Sequence, residues 1–414
     1  MSRAIFSLMI VCLVDVMGQG LAFPIFDVLL LKPGSGFLAG GTSQSHAEFL
    51  YGVAIGTFFL TWFFGSIYIA RLSDSIGRKL GIVICLLGAI AGYALAAIAI
   101  IWHSYSLLVA SRAITGFTAG AQPIAAAAMI DLAASDREGT RNLGLATAGM
   151  SFGLVIGPII GGVFSDQAIL GLWASPQLPF VVGGILCFLA LVLIIFSFQD
   201  VVRQPAPLVL NPLEIVKLLT QALDRRSVLR VTAVYFPYML CLLALYVFAS
   251  AYLTARFGYG AQAASLGMFL MGLGLAFSSS LLVDPLNAWL SRRTLMLVIV
   301  LLFCLVITGF VLVPSGPIAL ALLFPAGLLH GIGYPTLLSG FSQAVDRDEQ
   351  GWVMGFSTAV FTIAAAGISF FGGELTASVG RDAPFQFALL CGGIAIIAIL
   401  MVWKRQSPVD HLEA

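Results

Sequence analysis

Charged residues are scarce in this chain of 414 residues: Asp, Glu, Lys and Arg together supply only 9% of it. The net charge of +1 says little by itself, and we expect no nucleic-acid partner. The sequence also lacks a Walker phosphate-binding loop, metal-ligand spacing and a soluble catalytic domain. These absences argue against an enzyme, and we expect no metal and no cofactor.

The six cysteines are isolated and lie in apolar segments, and none forms a CxxC pair. We expect them to be small buried hydrophobic residues rather than disulfide partners or metal ligands. They are Cys12, Cys85, Cys187, Cys241, Cys304 and Cys391.

Long apolar stretches dominate the chain, with 60% hydrophobic residues and a mean hydropathy of +1.04. A soluble protein could not bury so much apolar surface, so the excess must face lipid. A membrane span needs ~20 predominantly apolar residues, and the runs are too long and lack the alternation of barrel strands. The sequence therefore predicts an all-α membrane protein with twelve spans. They lie at about 5–31, 47–71, 80–102, 106–132, 140–165, 177–198, 228–255, 261–283, 293–313, 317–344, 350–378 and 384–403.

The basic residues fix the orientation of the spans. With the N-terminus inside, sixteen of the twenty lie on the cytoplasmic side, Lys32, Arg256 and Arg381 lie outside, and Arg112 lies within a span. This bias predicts a multi-pass protein of the cell (inner) membrane with both termini in the cytoplasm. Arg3 and the apolar residues after it suggest a signal peptide, but Asp15 interrupts the run and no cleavage site follows, so we expect an uncleaved first helix.

The polar segment 199–227 divides the spans six and six and predicts two bundles, 1–198 and 228–414, joined by a cytoplasmic linker. Its residues 213–223 are amphipathic and are expected along the membrane surface. The halves repeat weakly: LSDSIGRK (72–79) matches LNAWLSRR (286–293) at an offset of 214, and Pro123 matches Pro335 at 212. Such repeats place a substrate site between the halves and predict alternating access by rocking.

The loop from Ala70 to Lys79 holds an acid, a turn glycine and two bases. A topogenic loop would explain Arg78 and Lys79 but not Asp74. The segment resembles the loop between helices two and three of the major facilitator superfamily, although Ala70 and Ser75 depart from the pattern. The resemblance implies a twelve-helix transporter fold and a cytoplasmic latch of Asp74, Gly77, Arg78 and Asp131. Asp74 would face the start of the eleventh helix, where the helix dipole favours an anion, and Arg78 would pair with Asp131.

Arg112 begins a string in the fourth span that resembles the superfamily's R-x-x-x-G pattern. Arg112, Thr115, Ala119 and Gln122 are spaced for one helical face. One interpretation is an Arg that snorkels to the headgroups. The other is a buried cation near a carboxylate of the first helix, whose proton affinity it tunes.

The fifth span carries glycines every four residues, a pattern that indicates close helix packing. The same string resembles the signature of the superfamily's antiporters, which implies export rather than uptake. The signature comprises Gly149, Gly153, Gly157, Pro158, Gly161 and Gly162.

Asp15 lies ~15 Å into the first helix at 1.5 Å per residue, and Gln19 shares its face. The segment 13–24 resembles the first helix of tetracycline/proton antiporters, where D-x-M-G-x-G-L-x-x-P carries an essential acid. The membrane interior would favour the protonated acid and a nearby Arg112 the carboxylate, so Asp15 is the candidate proton carrier. A structural Asp satisfied by Gln19 or the backbone is the alternative. Asp27 is either interfacial or the true partner of Arg112.

The remaining candidates line a predicted apolar pocket with a few hydroxyl groups, although ordinary packing would place the same residue types there. Gln19 and Gln122 would contact the substrate from the first half. The second half would contribute Tyr235, Tyr238, Met268, Tyr334 and Phe361. Gly92 stands where the tetracycline antiporters carry a further acid in helix three. His330 and Glu374 are lone residues and are expected to be structural.

Together these features predict a proton-coupled secondary transporter that exports small amphipathic organic compounds, as drug or metabolite efflux. The alternative is a proton symporter that imports a metabolite or siderophore. The expected partners are the substrate, protons and the bilayer, and we expect a monomer.

Overall fold

The computed structural model describes residues 2–32, 34–200, 219–346 and 349–403. Within these ranges, twelve helices are long and apolar enough to cross a membrane, which confirms the twelve predicted spans one for one. Most of the predicted linker (201–218) lies outside the described residues, including most of its amphipathic part. The spans are α1 (Arg3–Leu31), α2 (Gln44–Ile76), α3 (Arg78–Ile101), α4 (Tyr105–Asp131), α5 (Arg137–Ser165), α6 (Leu178–Ser197), α7 (Arg226–Phe257), α8 (Ala261–Leu281), α9 (Arg292–Leu312), α10 (Gly316–Ser342), α11 (Gln350–Ser378) and α12 (Ala383–Val402).

Serine hydroxyl groups mark the beginnings of five spans. Each accepts a hydrogen bond from a backbone N–H in the first helical turn, which has no partner within the helix. The capping residues are Ser2, Ser43, Ser104, Ser135 and Ser291. The predicted starts of the corresponding spans were a few residues late because hydropathy does not register a polar cap.

Two of the spans are not continuous α-helices. In α1 the α-helix ends at Phe26, shortly after Pro24, and a π-helical turn follows over Asp27–Leu31. In α4 two α-helices, Tyr105–Phe117 and Ala121–Asp131, are separated by a turn at 118–120. The predicted single helical face through Arg112 and Gln122 is therefore interrupted, and the two residues lie on different half-helices.

The glycine stripe of α5 packs directly on the backbone of α1. A Cβ atom built on Gly149, Gly153 or Gly157 would collide with a carbonyl oxygen of α1, and one built on Gly161 would make a tight contact at 3.0 Å, so glycine permits this separation. The pairs are Gly149 with Met9, Gly153 with Leu13, Gly157 with Met17, and Gly161 with Leu21. Pro158 adds a contact with Gly20.

Contacts between the first six and last six spans are concentrated where α2 meets α11 and α5 meets α8. Gly52 and Gly373 bring the backbones of α2 and α11 together, and Gly162 packs against Ser265 of α8. The Tyr51 hydroxyl donates a hydrogen bond to the carbonyl oxygen of Val247 in α7 over 2.9 Å. These contacts surround a cavity in the interior of the bundle.

Candidate functional site

A cavity of about 220 Å³ lies between the two sets of six spans. It receives side chains from α1, α2, α4 and α5 on one side and from α7, α8, α10 and α11 on the other. Five of the seven residues predicted to bind substrate line it: Gln19, Gln122, Met268, Tyr334 and Phe361. Its mixture of apolar walls and a few polar groups is typical of small-molecule sites.

Tyr235 and Tyr238 do not line this cavity, which corrects the predicted lining. Both are fully buried within the second set of spans. The Tyr235 ring packs edge-on against Phe341 at 5.2 Å between centroids, and its hydroxyl donates to the Ser357 carbonyl oxygen over 3.4 Å. Tyr238 packs against Phe303. Their positions on α7 turn them towards neighbouring helices, which sequence spacing alone did not reveal.

The cavity also contains side chains outside the predicted set, among them Trp62, Thr358 and His330. Aromatic contacts run along its wall. Ring centroids are 5.9 Å apart for Trp62 and Phe361, 6.2 Å for Phe361 and Tyr334, and 5.6 Å for Tyr334 and His330. The four-residue spacing of His330 and Tyr334 on α10 is the sequence signal that could have placed His330 here.

Asp15 lies in a second, much smaller cavity of about 20 Å³, which Gln19 and Arg112 also line. Its Oδ2 atom accepts a hydrogen bond from the backbone N–H of Gln122 over 2.9 Å. Gln122 is the second residue of the half-helix Ala121–Asp131, whose preceding residue, Gly120, has no side chain to cap it. The carboxylate of Asp15 thus caps the N-terminus of the second half-helix of α4, where the helix dipole favours an anion.

Arg112 is only 3% exposed and lies between aromatic rings. Its guanidinium carbon is 4.3 Å from the centroid of Phe58 and 5.4 Å from that of Phe26. Its Nε atom has no hydrogen-bond partner. This burial contradicts the snorkelling interpretation. Among the described residues Arg112 forms no ion pair, and its charge is met by cation–π contacts. It lines the same small cavity as Asp15, and its influence on the ionisation of that acid stays a prediction.

Asp27 is fully buried in the π-helical turn of α1. Its Oδ2 atom accepts a hydrogen bond from the Ser250 hydroxyl of α7, and the Tyr51 hydroxyl of α2 is within reach. Its other oxygen has no partner. Asp27 does not pair with Arg112, which corrects that interpretation, whereas an interfacial depth for Asp27 stays a prediction. It connects the two sets of spans instead.

The predicted latch residues converge at one end of the bundle. Arg78 forms ion pairs with Asp74 at 2.5 Å and with Asp131 at 3.5 Å. Gly77 ends α2 with φ of 100°, a left-handed conformation that favours glycine. The implied contact of Asp74 with the start of α11 stays a prediction.

Sequence reasoning missed one acid beside the latch. Asp200, just after α6, accepts a hydrogen bond from the backbone N–H of Lys79 over 2.8 Å. The Lys79 ammonium group donates to the carbonyl oxygen of Ile195 over 2.8 Å. An acid directly after the sixth span was the available signal. The loop is thereby tied to α6 as well as to α4.

Glu374 is exposed on α11, away from both cavities. In the described part of the chain, no group of three or more His, Cys, Asp or Glu side chains could hold a metal ion.

This chain is similar in sequence to proteins named for drug resistance. The class H tetracycline resistance protein of Pasteurella multocida is 26% identical over 369 residues, covering 86% of this chain and 84% of the relative. The quinolone resistance protein NorA of Staphylococcus aureus is 28% identical over 202 residues, covering 48% of this chain and 46% of the relative.

Two solved structures share the fold. The human organic anion transporter MFSD10 has a TM-score of 0.69 at 21% identity and covers 97% of this chain and 99% of that one. A D-xylose-proton symporter has a TM-score of 0.73 at 15% identity, with 97% of both chains covered. The model of the Major Facilitator Superfamily matches residues 8–369. With twelve spans around a central cavity and this match over most of its length, the chain belongs to the Major Facilitator Superfamily of transporters.

Proposed function

We propose that this transporter exports small amphipathic organic compounds in exchange for protons, by alternating access of two six-helix halves (1–198 and 228–414) joined by the linker 199–227. Its relatives named for tetracycline and quinolone resistance support efflux, as does the glycine signature of α5. The proposal places the protein in the cell (inner) membrane with both termini in the cytoplasm, on the side that carries the latch.

The contact between Asp15 and Gln122 carries the proposal. The backbone N–H of Gln122 is held by the Asp15 carboxylate, while Gln122 also lines the central cavity. Gln19 lines both cavities. An ionised acceptor makes a stronger hydrogen bond than a neutral one, and a helix N-terminus prefers an anion. Protonation of Asp15 would therefore loosen the second half of α4 and shift a group in the substrate cavity.

The other buried charges take supporting roles in this scheme. Arg112 lines the small cavity beside Asp15 and is proposed to modulate its ionisation. Asp27 joins α1 to α7 and is proposed as a second group that senses protons during rearrangement of the halves. The latch of Asp74, Gly77, Arg78 and Asp131 would hold the cytoplasmic ends of α2, α3 and α4 in fixed geometry.

Transport in proteoliposomes under an imposed pH gradient tests the proposal, with tetracycline, a quinolone and a neutral fused-ring aromatic compound as probes. The variant to compare is Asp15→Asn, because an amide oxygen can still accept the hydrogen bond from Gln122 while the proton site is lost. Asp224→Asn is the matched control, since Asp224 is exposed outside the spans.

We expect substrate to move against protons in the wild type and in Asp224→Asn, with coupled transport reduced to background in Asp15→Asn. Coupling that persists in Asp15→Asn would remove Asp15 from the mechanism. Substrate that moves in the same direction as protons would establish the symporter and overturn export.

A further inference from the structure

The central cavity carries no formal charge. Among the described residues that line it there is no Asp, Glu, Lys or Arg. Asp15, Asp27, Glu48 and Arg112 lie outside this lining. A charged ligand would give up its hydration on entry without meeting a counter-charge, which is unfavourable in a low-dielectric site. The cavity therefore favours neutral compounds.

The walls of the cavity favour flat aromatic compounds. The chain of ring contacts from Trp62 through Phe361 and Tyr334 to His330 offers π faces from both halves. Met268 and Met271 add polarisable thioethers, which adapt to ring edges. A volume of about 220 Å³ is below the ~300 Å³ at which drug pockets usually begin. Compounds of two or three fused rings are the appropriate size.

His330 is a lining residue whose imidazole makes no hydrogen bond with any described residue. Its Nδ1 atom is buried without a hydrogen-bond partner. The remaining nitrogen, Nε2, makes no hydrogen bond with any described residue, although the ring belongs to the cavity lining. Because no neighbour fixes the tautomer, the imidazole can either donate to or accept from a ligand. A site that hydrogen-bonds its ligand discriminates against an analogue that lacks the bonding group.

We propose that His330 is a specificity-determining residue that hydrogen-bonds the polar edge of a neutral, planar aromatic substrate held between the aromatic walls of the central cavity. The inference deepens the proposed export function by naming the substrate class, and it rests on that function only for the direction of transport. In this arrangement Thr358, Gln19 and Gln122 would contact the remaining edge of the ligand.

Equilibrium binding to the full chain in lipid nanodiscs tests the proposal, with the signal of empty nanodiscs subtracted. The probes are 2-naphthol and 2-methylnaphthalene, which have nearly the same shape and differ in one hydroxyl group. We expect the wild type to prefer 2-naphthol by roughly five- to tenfold, the effect of one neutral hydrogen bond in a dry site. In His330→Phe the preference should fall below about twofold, while 2-methylnaphthalene still binds.

Two further variants keep the test decisive. His330→Gln retains a hydrogen-bonding group and should keep part of the preference, and it provides the measurement if His330→Phe does not fold. His46→Phe is the matched control, because His46 is exposed at the start of α2 and should behave as wild type. Equal affinity of the wild type for both probes, an unchanged preference in His330→Phe, or equal loss of both probes in that variant would each overturn the proposal.

Different outcomes contradict the proposed export function and the proposed role of His330. A wild type that shows the binding preference but no proton-driven transport contradicts export and leaves the role of His330 intact. Proton-driven counterflow of a drug, with no effect of His330 on binding preference, contradicts only the substrate class.

Discussion

Arg292, at the start of α9, donates a hydrogen bond to the side-chain oxygen of Gln343 over 2.8 Å. Arg292 follows Arg78 by 214 residues and Gln343 follows Asp131 by 212, which are the two offsets of the internal repeat. The contact between Arg78 and Asp131 thus recurs in the second half of the chain with an amide in place of the carboxylate. Asp74 also has no acidic counterpart there, because Ala288 stands at its repeat position.

This asymmetry predicts different coupling energies for the two pairs. We expect a double-mutant cycle of Arg78→Gln with Asp131→Asn to give about 1–2 kcal/mol, since both partners are charged and their Coulomb attraction adds to the hydrogen bond. The cycle of Arg292→Gln with Gln343→Leu should give less than about 1 kcal/mol. Unfolding in mixed micelles measures both, and salt should weaken only the first. Equal, salt-independent couplings would contradict an electrostatic difference between the halves.

The glycine stripe predicts a position-specific effect of a single methyl group. Gly153→Ala should lower the free energy of unfolding by about 1–3 kcal/mol, because the new Cβ would collide with the Leu13 carbonyl oxygen and force α5 away from α1. Gly144→Ala is the control in the same helix, where a Cβ would meet nothing within 4 Å. If both variants unfold like the wild type, the close packing of α1 on α5 is wrong.

Ser250 supplies the hydrogen bond that Asp27 receives from α7. Ser250→Ala should destabilise the protein by about 1–3 kcal/mol, because a buried carboxyl group loses a partner. The effect should largely vanish in an Asp27→Leu background, where no polar group is left to satisfy. Ser369→Ala serves as the control, since that buried hydroxyl bonds only to its own helix at Ala365. An equal effect of Ser250→Ala in both backgrounds would show that Asp27 is not its partner.

The hydrogen bond from the Lys79 N–H to Asp200 is expected to stabilise the latch loop. Asp200→Ala should cost about 0.5–2 kcal/mol, the usual effect of removing a helix cap, because Lys79 N–H at the start of α3 loses its acceptor. Hydrogen exchange at the first turn of α3 should accelerate by a corresponding factor. Asp224→Ala, an exposed acid near α7, should leave that exchange unchanged. Unaltered protection in Asp200→Ala would mean that the cap does not stabilise the loop.

Hydropathy predicted the spans because lipid imposes one requirement on every spanning residue, and a window of about twenty residues averages it well. The pairing of Arg78 with Asp131 followed from the resemblance of a whole motif. Single side chains that act across helices were harder to predict. Ser250 carries no distinguishing pattern in sequence, and Asp200 is marked only by its place after the sixth span. The turn at 118–120 lies inside a segment whose length and hydropathy fit one continuous span. Tyr235 and Tyr238 show the same limit, since burial in a bundle depends on helix rotation rather than on residue type.

The glycine contact between α2 and α11 has a consequence for movement. Where Gly52 meets Gly373, the two spans touch through their backbones, with no side chain between them. Separating the two spans at this point would expose almost no apolar surface to water and would release no side chain from packing. Opening a glycine–glycine contact of this kind would cost little hydrophobic free energy, because little apolar surface is buried in it. Forming it again would cost little side-chain conformational entropy. In the proposed alternating access, separation of the two spans at this point would therefore change the free energy little in either direction.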